Sequence, residues 1–223
     1  MKRLVVLGGG ESGIGTALLG KAKGYEVFVS DKGIIVEKYK EVLVNNEIDW
    51  EDEKHTEALI LNADLVMKSP GIPEKVEMVQ KLFQKGIPVI SEIEFASAFT
   101  QANIIGITGS NGKTTTATWT DYVLKNGGLN VALAGNIGDS FAKAVWKDKV
   151  EHYVLELSSF QLDGIEKFRP HIAVLTNITP DHLDRYEYKY ENYIASKFSI
   201  TKNQTEEDYF IYDADNPTIA EWI

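Results

Sequence analysis

The residues with the most legible chemistry are Gly106-Ile107-Thr108-Gly109-Ser110-Asn111-Gly112-Lys113-Thr114-Thr115. Asn103 to Ile107 reads as a buried strand and Thr114 to Lys125 as the start of a helix. Strand, glycine-rich turn and helix is the order a nucleoside triphosphate site needs: glycines let backbone N–H groups converge on phosphate oxygens, and a helix N-terminus adds positive potential. The spacing puts phosphate contacts on Gly109, Ser110, Asn111 and Gly112. Lys113 would reach the β/γ-phosphates, and the Thr114 or Thr115 hydroxyl would sit on Mg²⁺. The usual pattern, G-x-x-x-x-G-K-[ST], calls for glycine at 107, where isoleucine stands. Gly106 comes one position early and Gly109 lies inside the loop, so this is a variant. A plain glycine-rich turn with a surface lysine leaves the Lys-Thr-Thr cluster at a helix start unexplained.

Three further segments carry candidate groups. Glu156 stands in the apolar strand Tyr153 to Leu157, where a carboxylate is costly unless paired or on a metal. It is either the acid that a phosphate-bound Mg²⁺ needs on a neighbouring strand or a solvated glutamate of an edge strand. Ser158 and Ser159 follow on the substrate side. Asp181-His182-Leu183-Asp184 follows the strand Ile172 to Leu175; His182 is a metal ligand or a cap in a turn. Lys197 stands in the helical stretch Tyr193 to Phe198, and by spacing alone it is an ordinary surface lysine. His55, His152 and His171 have no partner pattern and are read as structural.

A second glycine motif lies at the start. Leu4 to Leu7 is a strand, Gly8, Gly10 and Gly13 form G-x-G-x-x-G, a helix runs from about Ile14 to Lys23, and Tyr25 to Val29 is the next strand, closed by Ser30-Asp31. Asp31 lies near the place of a ribose-binding acid. The motif fits a NAD or FAD site, another nucleotide or phosphate ligand, or tight turn geometry alone. Ser69-Pro70-Gly71 follows the strand Ala63 to Met67, at the carboxyl end where open α/β sheets bind ligands; a plain turn is the alternative.

These sites need scaffolds. Strands alternate with helices throughout, which predicts an α/β protein with mostly parallel sheets covered on both faces. Two α/β units in tandem are expected: a Rossmann-like domain over 1–93 and an ATPase-type parallel-sheet domain with the phosphate loop over 94–223. Residues 37–62 read as surface helix and loops. Ser91 caps a helix with Glu94 at N3. Phe141, Val145 and Trp146 read as packing residues. The last helix opens at Pro217 and the sequence stops two turns later, so the second domain is expected to be truncated, part of a longer polypeptide.

The 223 residues include no cysteine, which excludes disulfides and thiolate chemistry. The formal net charge of −10 argues against bulk attraction to nucleic acid or anionic lipid. No window approaches the ~20 apolar residues of a membrane span.

Taken together, the motifs resemble the Mur ligases of peptidoglycan precursor synthesis, over essentially the whole chain. Thr108 to Thr115 resembles their ATP loop. Gly135-Asn136-Ile137-Gly138, Glu156-Leu157-Ser158-Ser159-Phe160-Gln161-Leu162 and Asn177-Ile178-Thr179-Pro180-Asp181-His182-Leu183-Asp184-Arg185-Tyr186 resemble their following blocks in order. The Glu-Leu-Ser-Ser-Phe-Gln-Leu block and the N-terminal glycine turn resemble the branch that adds D-glutamate.

The resemblance implies a three-domain, monomeric, cytoplasmic, ATP-dependent ligase whose third domain is not in this sequence. Its small-molecule substrates would be ATP, UDP-N-acetylmuramoyl-L-alanine and D-glutamate. It further implies that Ser12 and Gly13 contact the uridine diphosphate end, with Ser30 and Asp31 near the uracil and Ser69 and Gly71 bordering the same site. Asn136 and Ser158 would face the diphosphate and muramoyl portion. Glu156 would bind one Mg²⁺, and His182 with Lys197 a second, Lys197 as an N-carbamate. Three alternatives stay open: another Mur or folylpolyglutamate-type ligase, a NAD-dependent enzyme built on the Gly8 motif, and a non-catalytic nucleotide-binding fragment.

Overall fold

A computed structural model describes all residues, 1–223. The chain divides into two compact units, one of Met1–Phe99 with Ser140–Lys147, the other of Thr100–Asp139 with Asp148–Ile223.

The first unit runs β1 (Arg3–Leu7), α1 (Glu11–Ala22), β2 (Glu26–Ser30), α2 (Glu37–Asn45), β3 (Asp49–Glu51), α3 (Glu57–Ile60), β4 (Leu65–Lys68), α4 (Glu77–Gln84), β5 (Val89–Ile90) and α5 (Glu92–Ser97). Its sheet has the order β3-β2-β1-β4-β5, and every pairing is parallel. Leu4, Val5, Val6 and Leu7 are all buried, as a central parallel strand covered on both faces requires. Val5, Leu7, Phe28, Val66, Val79 and Leu82 form one core beneath it.

Two features depart from the sequence expectation. Helix α1 starts at Glu11 rather than about Ile14, so Ser12 and Gly13 lie in its first turn. Gly13 serves a close approach there: a Cβ on it would lie 1.8 Å from the Gly8 carbonyl oxygen. Residues 37–62 also contain a strand, β3, which the acidic run around it hides. It is held by pairing with β2, Val29 opposite Trp50. Ser91 does cap α5, accepting from Glu94 N at 3.1 Å.

The second unit runs β6 (Asn103–Thr108), α6 (Lys113–Asn126), β7 (Val131–Gly135), β8 (His152–Glu156), α8 (Ser159–Leu162), β9 (Ile172–Leu175), α9 (Tyr190–Phe198), β10 (Tyr209–Tyr212) and α10 (Pro217–Trp222), with short 3₁₀ turns at Leu183–Arg185 and Ser199–Thr201. Helix α7 (Phe141–Lys147), between β7 and β8 in sequence, belongs to the first unit. The second sheet is also fully parallel, in the order β10-β9-β6-β8-β7. The neighbours of β6 are β8 on one side and β9 on the other, so the strand order reverses at β6. The corresponding reversal in the first sheet falls at β1. Ligands of open parallel sheets bind outside the carboxyl ends of strands at such points, here the loops after Leu7 and Thr108.

Helix α7 is held in the first unit by a buried carboxyl group. Glu92 is 1% exposed, and its Oε1 accepts the Ala142 N–H at 2.5 Å, while Oε2 has no hydrogen-bond partner. Gly15 on α1 leaves room for α7, since a Cβ there would meet Ser140 Oγ at 2.1 Å. Phe141 is buried in the core as expected, and Trp146, 43% exposed, lies at the boundary.

Burial, with a smaller push from Glu11, raises the Glu92 carboxyl to about 7, against the hydrogen bonds from Ala142 and Ser140. A carboxyl raised above its unfolded value of 4.5 contributes stability that is present below pH 4.5 and lost as pH rises through 7. The loss is roughly 3 kcal/mol at 1.36 kcal/mol per pKa unit. Glu92→Gln has no such titration. Urea unfolding should therefore show its stability relative to wild type improving by about that amount between pH 4.5 and 8. A difference independent of pH would refute the assignment.

Candidate active site

The loop between β6 and α6 has a backbone that only glycine fits at its start. Gly109 has φ +147°, and a Cβ on it would lie 1.9 Å from Thr176 Oγ1. Gly112, at φ +80°, is the N-cap of α6. Helix α6 thus begins at Lys113, and the N–H groups of its first turn have no partners within the helix.

Residues after β9 clamp this loop. Ser110 N donates to the Asn177 carbonyl at 2.9 Å, Asn111 N to Asn177 Oδ1 at 2.9 Å, and Asn177 Nδ2 to the Asn111 carbonyl at 3.0 Å. Thr176 Oγ1 donates to the same carbonyl at 2.7 Å. Ser110 Oγ donates to the Thr179 carbonyl and lies 3.0 Å from Tyr193 Oη. The loop conformation is therefore set largely by groups 65–83 residues away in sequence.

Two ammonium groups meet on one oxygen. Lys113 Nζ donates to the carbonyls of Gly109 and Ser110, both at 2.9 Å, and Lys197 Nζ donates to the Gly109 carbonyl at 2.7 Å. Lys197 is 2% exposed, which overturns the spacing-based reading of a surface lysine. Burial first, then the charge of Lys113, pulls its pKa down to about 7, against Asp181 and Asp163. A lysine in this state is partly a neutral amine near pH 7 and hence a nucleophile.

Beside the loop, Thr114 Oγ1 donates to Glu156 Oε2 at 2.8 Å, and Asn136 Nδ2 donates to Glu156 Oε1 at 2.8 Å. Glu156 is 2% exposed at the end of β8, paired with β6 so that Ile107 stands opposite it. It is thus an interior, hydrogen-bonded carboxylate rather than a solvated edge residue. A hydroxyl and a carboxylate are hard oxygen donors, and Mg²⁺ is commonly held by one or two carboxylates with waters and phosphate oxygens. The donor set fits that ion. No group of three or more His, Cys, Asp or Glu side chains gathers anywhere in the chain, this site included, so the ion's remaining ligands here would be waters and phosphate oxygens.

Other predicted residues sit apart from this cluster. Thr115 is exposed on the first turn of α6. Ser158 caps α8 in a capping box, accepting from Gln161 N and donating to Gln161 Oε1. His182 is exposed, has φ +49°, accompanies Asp181 at 3.5 Å and lies against the Phe160 ring at 5.2 Å.

In the first unit, Asp31 ties down the glycine turn, accepting from Gly9 N at 2.6 Å and Gly33 N at 2.7 Å. Ser30 is fully buried, its hydroxyl 2.8 Å from Glu51 Oε1 and 2.7 Å from His55 Nδ1. Ser12 gives its carbonyl to Thr16 Oγ1. Ser69 Oγ is buried without a hydrogen-bond partner beside Gly8, where a Cβ would meet it at 2.5 Å, and Gly71 follows in an exposed turn.

Sequence reasoning missed Thr176, Asn177 and Tyr193 as parts of the site. The Thr-Asn-Ile-Thr run after an apolar strand was the available signal. It shows polar residues at a strand's carboxyl end, without showing which loop they face.

These features define a class. Residues 107–223 match the Mur ligase middle domain and residues 3–78 the MurD N-terminal domain, and the chain belongs to the Mur ligase family. Within it, the chain is 67% identical over 222 residues to the UDP-N-acetylmuramoylalanine–D-glutamate ligase of Christiangramia forsetii, covering 100% of this chain and 50% of the relative. It is 56% identical over 221 residues to the enzyme of the same name from Bacteroides thetaiotaomicron, covering 99% and 50%. The chain thus spans about half the length of these curated relatives. Among solved structures, the UDP-N-acetylmuramate:L-alanyl-γ-D-glutamyl-meso-diaminopimelate ligase of Neisseria meningitides superposes with a TM-score of 0.70 at 21% identity, covering 99% of this chain and 74% of that one. This last likeness speaks for the α/β fold with parallel sheets.

Asn177→Ala removes both side-chain bonds to Asn111. It should lower stability by about 1–2 kcal/mol in urea unfolding and speed hydrogen exchange at the Asn111 amide. Unaltered exchange at that amide would show that the loop holds itself.

Proposed function

We propose that this chain provides the first two domains of an ATP-dependent ligase that joins D-glutamate to UDP-N-acetylmuramoyl-L-alanine. The observation that carries this reading is the contact of Thr114 with Glu156 at the start of α6, beside the two lysines on Gly109. The similarity to D-glutamate ligases across the whole chain supports the choice of substrate. On this reading the second unit, Thr100–Asp139 with Asp148–Ile223, is a P-loop-type ATP domain, and the first, Met1–Phe99 with Ser140–Lys147, is a Rossmann-like holder of the uridine diphosphate end. The complete enzyme works as a monomer in the cytoplasm. No helix of this chain is long and apolar enough to cross a membrane.

The reaction transfers the γ-phosphoryl group of ATP to the substrate carboxylate, and the amine of D-glutamate then displaces phosphate from the acyl phosphate to form the amide. Mg²⁺, when bound, neutralises charge on the transferring phosphoryl group. The amides outside the Asn177 clamp, those of Gly109 and of Gly112 to Thr115, would bind phosphate oxygens, while the Ser110 and Asn111 amides stay on Asn177 and hold the loop. Lys113 would exchange its two carbonyl partners for the β/γ-phosphates. Thr114 and Glu156 would hold the metal, with Asn136 orienting the carboxylate. Fixed donors of this kind need no reorganisation as charge develops.

In the first unit, Ser12, Gly13, Ser69 and Gly71 would line the diphosphate side, with Ser30 and Asp31 shaping the base end. Asn136 and Ser158 would face the muramoyl portion. His182 and Lys197 would complete a second metal position, Lys197 as the carbamate. That modification forms when the neutral amine attacks CO₂ and loses a proton, turning a potential cation into an anion.

Lys113→Ala in the complete enzyme should reduce phosphate release coupled to ligation by at least about 10³-fold, as removal of a transition-state charge clamp does. Near-normal turnover would exclude the role of Lys113. ¹³C NMR under labelled bicarbonate should show a carbamate resonance that disappears in Lys197→Ala. A resonance that survives the substitution, or none in wild type, rules out the carbamate.

A further inference from the structure

Lys197 and His182 are carried by different elements, and a small network beneath them joins those elements. Asp163 directly follows α8. Its Oδ1 accepts from Ser196 Oγ at 2.6 Å, and its Oδ2 accepts from Tyr186 Oη at 3.1 Å. The two hydroxyls lie 3.2 Å apart. We propose that Asp163 is a positioning residue of this site, fixing α9 through Ser196 and the 182–186 turn through Tyr186, and thereby the placement of Lys197 and His182. The catalytic meaning rests on the function proposed above; the network itself does not.

An ionised carboxylate only accepts, so both hydroxyls must donate to it, and their directions are set. Ser196 is 8% and Tyr186 7% exposed, and Tyr186 packs in a cluster with Leu175, Ile178, Tyr193 and Ile194. Hydroxyls in such surroundings need partners. Ser196 immediately precedes Lys197 on α9, so a bond that sets the rotation of the helix at Ser196 also sets the direction of Lys197.

Tyr186 stacks on Phe160 with centroids 6.1 Å apart, and Phe160 is the ring against which His182 rests. Tyr186 also meets Tyr193 edge-on at 5.4 Å, and Tyr193 reaches Ser110 of the phosphate loop. One carboxylate thus links α8, the histidine turn, the lysine helix and the loop. Ser196 Oγ has a second acceptor, the Ser159 carbonyl at 3.1 Å. Loss of Asp163 therefore lets Ser196 turn away, while Tyr186 loses its carboxylate acceptor.

Asp163 also acts on Lys197 by charge, so the test uses variants that leave charge unchanged. In the complete enzyme, Mn²⁺ binding is followed by electron paramagnetic resonance in the presence of a nonhydrolysable ATP analogue, with analogue affinity and thermal midpoint measured alongside. The double variant Ser196→Ala/Tyr186→Phe should weaken Mn²⁺ binding by about tenfold, the usual effect of removing a group that orients metal ligands. Affinity for the analogue should stay within about twofold, because the loop retains its Asn177 clamp. Asp163→Ala, which removes the charge as well as both bonds, should weaken Mn²⁺ binding at least as much. Unchanged Mn²⁺ binding in the double variant, or a parallel fall in Mn²⁺ affinity, analogue affinity and thermal midpoint, overturns the positioning role. A wild type without any Mn²⁺ site overturns the proposed function as well.

Discussion

The carbonyl of Gly109 accepts from two ammonium groups, and the rest of the site is arranged around that fact. The two nitrogens lie no farther apart than about 5.6 Å, where unit charges repel by about 3 kcal/mol at an effective dielectric near 20. One oxygen shared by a buried and a half-buried ammonium cannot fully compensate both charges, even with the Ser110 carbonyl as a second acceptor for Lys113. The structure relieves the conflict by pulling Lys197 towards neutrality. On the function proposed above, an arriving polyphosphate would relieve it differently, by giving Lys113 a stronger acceptor than a peptide carbonyl. On that reading the same crowding would serve two ends: it leaves Lys197 partly neutral near pH 7 and would make the loop a place where anions are favoured.

Such crowding needs a rigid floor. The reversal of strand order at β6 opens the carboxyl end of that strand, with β8 and β9 on either side. Glu156 comes from one neighbour and the Thr176–Thr179 clamp from the other. The two strands contribute differently. Strand β8 supplies a buried carboxylate next to Thr114, and β9 supplies hydrogen bonds that fix the Ser110–Asn111 backbone. Catalytic groups on strand ends keep their places because the sheet ladder holds them, whereas the loop is held by side chains from elsewhere.

What the sequence made legible follows from how local each signal is. The phosphate loop is a contiguous motif whose residue types have few other uses together, and Glu156 is conspicuous as a charge in an apolar strand. Parallel α/β architecture follows from alternation alone. Strand β3 escaped because three residues with acidic neighbours carry no period; its pairing with β2 makes it a strand. Lys197 escaped because a lysine in an amphipathic helix looks alike whether it faces water or a loop 88 residues away in sequence. The resemblance to a family singled it out where spacing could not. Asn177 and Tyr193 escaped for the same reason: their partners are set by topology.

The same distinction bears on how far the site is self-sufficient. The groups proposed to hold phosphate and the first metal all belong to one unit and already touch one another: Thr114 touches Glu156, and Glu156 touches Asn136. Their geometry is a property of one sheet and its loops. His182 is different. It stands exposed in a left-handed conformation, which costs a non-glycine residue of order 1–3 kcal/mol and persists only where the surroundings over-determine it. The stack of His182 on Phe160 and of Phe160 on Tyr186, anchored by Asp163, supplies that determination. On the function proposed above, a histidine held in strain by an aromatic pile and exposed to solvent is positioned for a ligand rather than for packing.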